Sequence, residues 1–326
     1  MIKVLVTGAT GYIGSHVCKF LKRNNCHVIG VDRVSRPHTI KHMDQLLVAD
    51  YDSAETYETL KNEDIDVIVH CAGTSLVGPS MVNPMEYYTN NVAKTANFFN
   101  QLRWLPRVPG VVFSSSASVY GSPDVDSITE DQPWNPMSPY GQSKAMIELM
   151  LVDLAHGHGI QSVSLRYFNA CGADIRDHEL GQAPGATHII ARLLEAHQNN
   201  TEFTLFGNDF TTQDGTCVRD YIHVDDLASA HWAAVAYLLA GGSSIQLNLG
   251  TGVGYSNQQV IDAVEHNVGT VKVKISDRRP GDPKRLIANS QLAQNVLEWK
   301  PAHSDLDTII QSAWKWYNNP SNLVDK

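Results

Sequence analysis

The sequence predicts an α/β fold: a doubly wound parallel sheet in the first half, followed by a smaller C-terminal α/β domain. Three observations carry this. Short runs rich in β-branched residues alternate with stretches of helical periodicity, a glycine trio joins the first such run to the first helix, and the alternation weakens after "RYFNACGA". Alternating strands and helices imply right-handed βαβ units and hence a parallel sheet.

The first strand is Ile2 to Thr7 (IKVLVT), and Ile13, Val17, Phe20 and Leu21 then fall at helical spacing. Between them "GATGYIG" supplies Gly8, Gly11 and Gly14. Glycines at this spacing let the backbone turn tightly against a pyrophosphate at a helix N-terminus, where free N–H groups and the dipole favour an anion. A second strand, His27 to Asp32, ends in an acid that can accept from an adenosine ribose. Strand, trio, helix and acid in that order predict a dinucleotide site, and Asp32 favours NAD over NADP. Arg33 beside it would suit a 2′-phosphate.

The next strand is "DVIVHCAG", followed by a long helix "PMEYYTNNVAKTANFFNQL", the strand "GVVFSSSASVYG", a helix after "SPYG", and the strand "SVSLRYFNA". In such sheets ligands bind at the carboxyl ends of the strands, where "CAG", "SSS" and "YFNA" fall. The domain boundaries expected are 1–168 for the nucleotide-binding unit, with a segment near 217–245 returning to it, and 169–326 for the rest.

"SPYGQSK" places Tyr140 and Lys144 four residues apart on one helix face. A free phenol titrates near ~10 and is a poor base at neutral pH. A neighbouring ammonium favours the phenolate, and the positive nicotinamide of an oxidised cofactor acts in the same direction. Ser114, Ser115 and Ser116 end the preceding strand and can orient a substrate hydroxyl. This set of groups suits removal of a proton from an alcohol while hydride passes to a nicotinamide.

Bulk properties exclude other classes. The net charge of −9 without a Lys/Arg run argues against nucleic acid and anionic membranes as partners. The apolar stretch "LASAHWAAVAYLLAGG" is too short for a membrane span and contains His231. Cys18, Cys26, Cys71, Cys171 and Cys217 are scattered, which fits a reduced, cytoplasmic protein; the chain also runs from Met1 directly into a strand. "HGH" at 156–158 lacks nearby carboxylates or cysteines and reads as a solvated helix end, so no metal is expected.

"TGATGYIG", "YYTNNV", "SSSASVYG", "SPYGQSK" and "RYFNACGA" resemble the extended short-chain dehydrogenase/reductase superfamily, whose pattern is Tyr-x-x-x-Lys with an upstream Ser or Thr. "FGNDF", "DGTCVRDYIHVDDL" and "RRPGD" narrow the resemblance to the UDP-glucose 4-epimerase family, over nearly the whole chain. The resemblance implies a Rossmann-like NAD domain, a UDP-sugar-binding domain, UDP-glucose and UDP-galactose as substrates, and a homodimer through the two long helices. It implies Tyr140 as base, Lys144 on the nicotinamide ribose and Ser116 on the hydroxyl being oxidised. Cofactor contacts are implied at Gly8, Gly11, Tyr12, Ile13, Gly14, Asp32, Asp50, Tyr51, Ala72, Asn91, Ser114, Tyr140, Lys144 and Tyr167. Substrate contacts are implied at Ser116, Tyr140, Asn169, His188, Arg219, Arg279, Asp282 and Leu286.

The chain departs from that pattern in places. Ser75 stands where some relatives carry a lysine, the segment from Asp32 to Asp50 is short, and "APGATHIIARLL" matches loosely. Arg219 beside Asp220, and Arg279 near Asp277, could instead be surface ion pairs. Two rival functions are a sugar-nucleotide 4,6-dehydratase and a non-catalytic NAD sensor. The first usually carries a Thr-Asp-Glu trio where "SSSASVYG" stands, and the second typically lacks the Tyr or the Lys.

Overall fold

The computed structural model describes residues 1–279 and 282–319; Pro280 and Gly281 of "RRPGD", and residues 320–326, lie outside the described residues. In chain order the strands are β1 (Lys3–Thr7), β2 (His27–Asp32), β3 (Gln45–Val48), β4 (Val67–His70), β5 (Gly110–Ser116), β6 (Ser162–Tyr167), β7 (Asn169–Cys171), β8 (Glu202–Phe206), β9 (Val218–His223), β10 (Ile245–Leu249), β11 (Gly254–Ser256), β12 (Lys272–Ser276) and β13 (Arg285–Leu286). Seven of them form one sheet in the order β10-β6-β5-β4-β1-β2-β3, with every pairing parallel. The order reverses direction at β1, so β1 and β4 flank the crevice where such sheets bind ligands.

The strands are apolar on both faces because helices cover both sides of the sheet. One face buries Val4, Val6, Val28 and Val69 against the helix Tyr12–Arg23 and the helix Val224–Leu239. The other buries Leu5, Ile29, Ile68 and Phe113 against Phe98, Phe99, Ile147 and Leu151 of the two long helices. Helix Val224–Leu239 and β10 thus return to the first unit from late in the chain.

Local chemistry explains the element ends. Ser138 caps the helix Pro139–His158 by accepting from the Gly141 amide at 3.1 Å, Pro139 occupies its first turn, and Gly159 closes it with φ +69°. The run "GVVFSSSASVYG" is a strand only to Ser116. The Ser116 hydroxyl accepts from the Ser118 amide at 3.2 Å and turns Ala117–Tyr120 into a 3₁₀ turn. The long helix read from "PMEYYTNNVAKTANFFNQL" is one rod with a π-helical turn at Tyr88–Ala93.

The second unit packs helices Ile189–Asn199, Asn257–Asn267 and Leu306–Tyr317 around a separate core that includes Leu193, Ile261, Ile310 and Trp316. Its central strand β9 pairs with β7, β11 and β13. Among the described residues no helix is long and apolar enough to cross a membrane.

Candidate active site

The helix Tyr12–Arg23 begins at Gly11 without a side-chain cap and with no acid in its first turn. Its first amides therefore remain available to an anion. Gly8 has φ +67°, and a Cβ on Gly14 would lie 2.1 Å from the Gly8 carbonyl oxygen, so this turn tolerates no side chain at either position. The turn opens into a cleft of about 500 Å³, which is within the usual range for a small-molecule site.

Of the residues singled out in the sequence, Gly8, Gly11, Tyr12, Ile13, Gly14, Asp32, Asp50, Tyr51, Ala72, Ser114, Ser116, Tyr140, Lys144, Tyr167, Asn169 and His188 line this one cleft. At one end, Asp32 holds its carboxylate by accepting from the amides of Thr10 (3.0 Å) and Val34 (3.1 Å). Asp50 pairs with Lys94, and the Tyr51 hydroxyl donates to the Asn90 carbonyl. Tyr12 contributes its ring, since its hydroxyl donates to the Gly172 carbonyl at 2.7 Å.

Asn91 is placed differently. It is 1 % exposed and lies behind the cleft wall: its carbonyl accepts from the Thr74 amide (2.8 Å), and its amide group donates to the Thr74 carbonyl and the Ser143 hydroxyl, both at 3.0 Å. It fastens the loop after β4 to the helix Pro139–His158, while Asn90 faces the cleft.

At the other end, Lys144 is 5 % exposed and its ammonium donates to the Ser114 carbonyl at 2.7 Å. It lies 4.8 Å from the centre of the Phe113 ring and 5.8 Å from that of Tyr140. Among the described residues no carboxylate pairs with it. Burial pulls its pKa down to about 8. Burial also pushes the Tyr140 phenol above its ordinary value, opposed by a hydrogen bond to Ser116. Proximity to Lys144 therefore does not by itself yield the depressed phenol expected from the sequence: Tyr140 is 9 % exposed, and desolvation is the largest influence on its phenol.

Behind Lys144, the Tyr167 hydroxyl meets the Ser114 hydroxyl (2.7 Å) and Nε2 of His231 (2.5 Å). Nδ1 of His231 is 2.7 Å from the Leu227 carbonyl and so carries the proton, which leaves Nε2 to accept from Tyr167. Burial holds this imidazole neutral, with a pKa of about 4.

Arg219, Arg279, Asp282 and Leu286 lie outside the cleft lining, on and beside β9 and β13. Asp282 pairs with Arg279 at 2.9 Å and with Arg219 at 3.8 Å. Two guanidinium groups thus share one carboxylate, which leaves net positive charge for an anionic ligand. Neither suspected local ion pair forms: Asp220 instead accepts from the amides of Thr251, Gly252 and Ala288. Leu286 pairs in register with Arg219 and packs against the cluster of Ala117, Val119 and Tyr120 that follows Ser116.

Sequence reasoning missed Cys71, Arg36, Lys94, Ser118 and Phe168 in the lining. Phe168 was findable, since it lies between two residues assigned to the site. Arg36 was not, because its nearness to Thr10 depends on how the loop after β2 folds back: Nη1 donates to the Thr10 carbonyl at 3.1 Å.

The residues present fit a dinucleotide. An uncapped helix N-terminus, an acid at the end of β2, and a buried ammonium beside a phenol are arranged along one cleft. The chain belongs to the NAD dependent epimerase/dehydratase family, whose model matches residues 4–250. Its relatives are more specific than that class. It is 42 % identical over 321 residues to the UDP-glucose 4-epimerase of Azospirillum brasilense, covering 96 % of this chain and 91 % of that protein. The structure of the UDP-glucose 4-epimerase of Brucella ovis in complex with NAD superposes with a TM-score of 0.92 at 39 % identity, covering 96 % of this chain and 98 % of the other. That of Bifidobacterium longum in complex with NAD+ and UDP superposes with a TM-score of 0.89 at 34 % identity, covering 98 % and 99 %.

Proposed function

We propose that the protein catalyses reversible epimerisation at carbon 4 of UDP-galactose and UDP-glucose, with NAD bound throughout the cycle. One observation carries this reading: Tyr140 and Lys144 sit beside Ser114 and Ser116 in the cleft that begins at the uncapped glycine turn. NAD would be held between that turn and Lys144, where it would supply a reversible hydride acceptor for carbon 4 and a positive ring that favours the Tyr140 phenolate.

The chain's own groups do the rest. Ser116 orients the 4-hydroxyl, and Tyr140 accepts its proton. Lys144 fixes the nicotinamide end, its ammonium anchored by the Ser114 carbonyl. The 4-keto sugar turns over so that carbon 4 offers its opposite face for hydride return, and Tyr140 gives the proton back to the 4-oxygen. Arg219, Arg279 and Asp282 hold UDP while the hexose stays loosely held, as the turn requires. Asn169 and His188, both lining the cleft, contribute to the UDP grip, His188 near the diphosphate. Leu286 bounds the hexose pocket and disfavours N-acetylated sugars.

The same reading assigns residues 1–168 with the returning segment near 217–245 to NAD, and 169–326 mainly to the UDP-sugar. A homodimer through the helices carrying Met85 and Leu149 is supported by their exposure, 66 % and 53 %. A reducing, cytoplasmic location is supported by the five free cysteines. Dehydration is disfavoured because the carboxylates in the cleft, Asp32 at the end of β2 and Asp50 after β3, lie toward the opposite edge of the sheet from Ser116 on β5.

Product analysis tests the proposal. UDP-galactose incubated with purified protein and no added cofactor should yield UDP-glucose. A 4-keto-6-deoxy product, or none, would overturn it.

A further inference from the structure

Three successive turns on one face of the helix Pro139–His158 meet three successive residues at the end of β5. Tyr140 shares the cleft wall with Ser116, and Lys144 donates to the Ser114 carbonyl. The third is Glu148, to which the proposed reaction gives no role. Glu148 is 0 % exposed, and Arg166 on β6 is 1 % exposed. Nε of Arg166 lies 3.1 Å from each carboxylate oxygen of Glu148, and Nη2 lies 2.6 Å from Oε2. The Ser115 hydroxyl donates to Oε1. Strand register explains the meeting, since Ser115 sits directly opposite Arg166 in the β5–β6 pairing. Arg166 is itself gripped: Nη1 donates to the Tyr120 hydroxyl at 2.6 Å, and its guanidinium lies 5.0 Å from the ring centres of Tyr120 and Trp134.

A desolvated ion pair is a costly way to hold a helix, because removing both charges from water offsets much of their attraction. An apolar pair of similar volume often folds as well or better. What the ion pair adds is direction, since a planar fork matches a carboxylate in few placements. Sliding the helix by one residue moves Glu148 about 1.5 Å along the axis and turns it about 100°, which breaks these bonds.

We propose that Glu148 and Arg166 are positioning residues, setting the axial register of the helix so that Tyr140 and Lys144 meet Ser114–Ser116. This rests on the reading of Tyr140 as the base. A misplacement of about 1 Å at a reacting group can cost roughly a hundredfold in rate. The pair therefore acts on turnover rather than on substrate affinity, which resides on β9 and β13.

The test compares the wild-type holoprotein with Ser115→Ala, Glu148→Gln, the double variant Glu148→Leu/Arg166→Met, and Tyr140→Phe. Readouts are kcat, KM for UDP-galactose, the pH profile of kcat, and Tm. Glu148→Gln and the double variant are expected to lose about 10- to 100-fold in kcat. Their KM should stay within about twofold, their kcat profile should differ from that of wild type, and the double variant should melt no lower than wild type. Folded variants with wild-type kcat and pH profile, or with losses confined to KM, overturn the inference. Should Glu148→Gln fail to fold, Ser115→Ala decides, because it cuts only the link between the carboxylate and β5. A several-fold loss of kcat at unchanged KM supports positioning, and an unchanged kcat overturns it. Activity retained in Tyr140→Phe would sink the base assignment. An inactive Tyr140→Phe beside a fully active Glu148→Gln would sink the positioning role alone.

Discussion

Replacing Lys144 by methionine keeps most of the buried stem and removes the charge, so stability and activity should move in opposite directions. The pKa falls from 10.5 to about 8 on folding because the ammonium is buried. At 1.36 kcal/mol per pH unit, holding the charged form in the fold costs about 3 kcal/mol at pH 7. The variant escapes that cost but leaves the Ser114 carbonyl without its donor, a loss of about 1–3 kcal/mol. Lys144→Met should therefore be as stable as wild type at pH 7, or more stable by about 1–2 kcal/mol. The pH dependence is sharper. Between about 8 and 10.5 the unfolded chain keeps the lysine proton while the folded chain has released it, so the wild type gains stability as pH rises through this window. Urea unfolding of nucleotide-free protein at pH 7, 8, 9 and 10, wild type against variant, isolates this one group. Relative to wild type the variant should lose about 3 kcal/mol of stability by the upper end of the window, which turns parity or advantage at pH 7 into a deficit of about 1–3 kcal/mol. Activity should fall meanwhile. Lys144 is anchored beside the Tyr140 ring at 5.8 Å, and losing this group should lower turnover by about 10²-fold, the lower end of what a positioned proton-transfer group contributes. Parallel pH–stability curves for the two proteins, or a variant with wild-type turnover, would refute this reasoning.

Further outcomes follow from the same geometry. Tyr140→Phe should lower epimerisation by about 10²–10⁴-fold while leaving UDP affinity nearly unchanged, since Arg219 and Arg279 lie on a separate cluster; retention of half the activity would exclude Tyr140 as the base. NAD should bind much better than NADP, because the Asp32 carboxylate is fixed by the Thr10 and Val34 amides and repels a 2′-phosphate; equal affinities in a titration of cofactor-free protein would mean that Arg33 or Arg36 governs that end. Leu286→Ser should raise activity on N-acetylated UDP-sugars by about ten- to a hundredfold. Comparable wild-type turnover of UDP-GlcNAc and UDP-galactose would show that Leu286 closes nothing.

The five strands, glycine turn and Tyr140/Lys144 pair found in the sequence depend on local signals: β-branched runs, glycine spacing and the four-residue repeat of a helix. What escaped depends on distant partners. β3 (QLLV) buries only one of its four residues at the sheet edge, and β10 (IQLNL) joins the sheet from beyond the second unit's strands. Neither announces its sheet by pattern alone. "NNV" offers two asparagines, and a π-helical turn at Tyr88–Ala93 decides which one faces the cleft; a regular helical period does not describe that turn. Arg219 and Asp220 are neighbours in sequence but point to opposite faces of β9, so adjacency does not reveal that Asp282 is the carboxylate beside Arg219. The net rise of the Tyr140 phenol was hidden for a similar reason, since burial is set by everything packed around the ring.

In the proposed reaction, hydride leaves carbon 4 and returns to it within one bound complex. Conversion of UDP-galactose carrying deuterium at carbon 4, in ordinary water and without added cofactor, tests this directly. The UDP-glucose formed should keep the deuterium at carbon 4, whereas washout of the label into solvent would rule out direct hydride return.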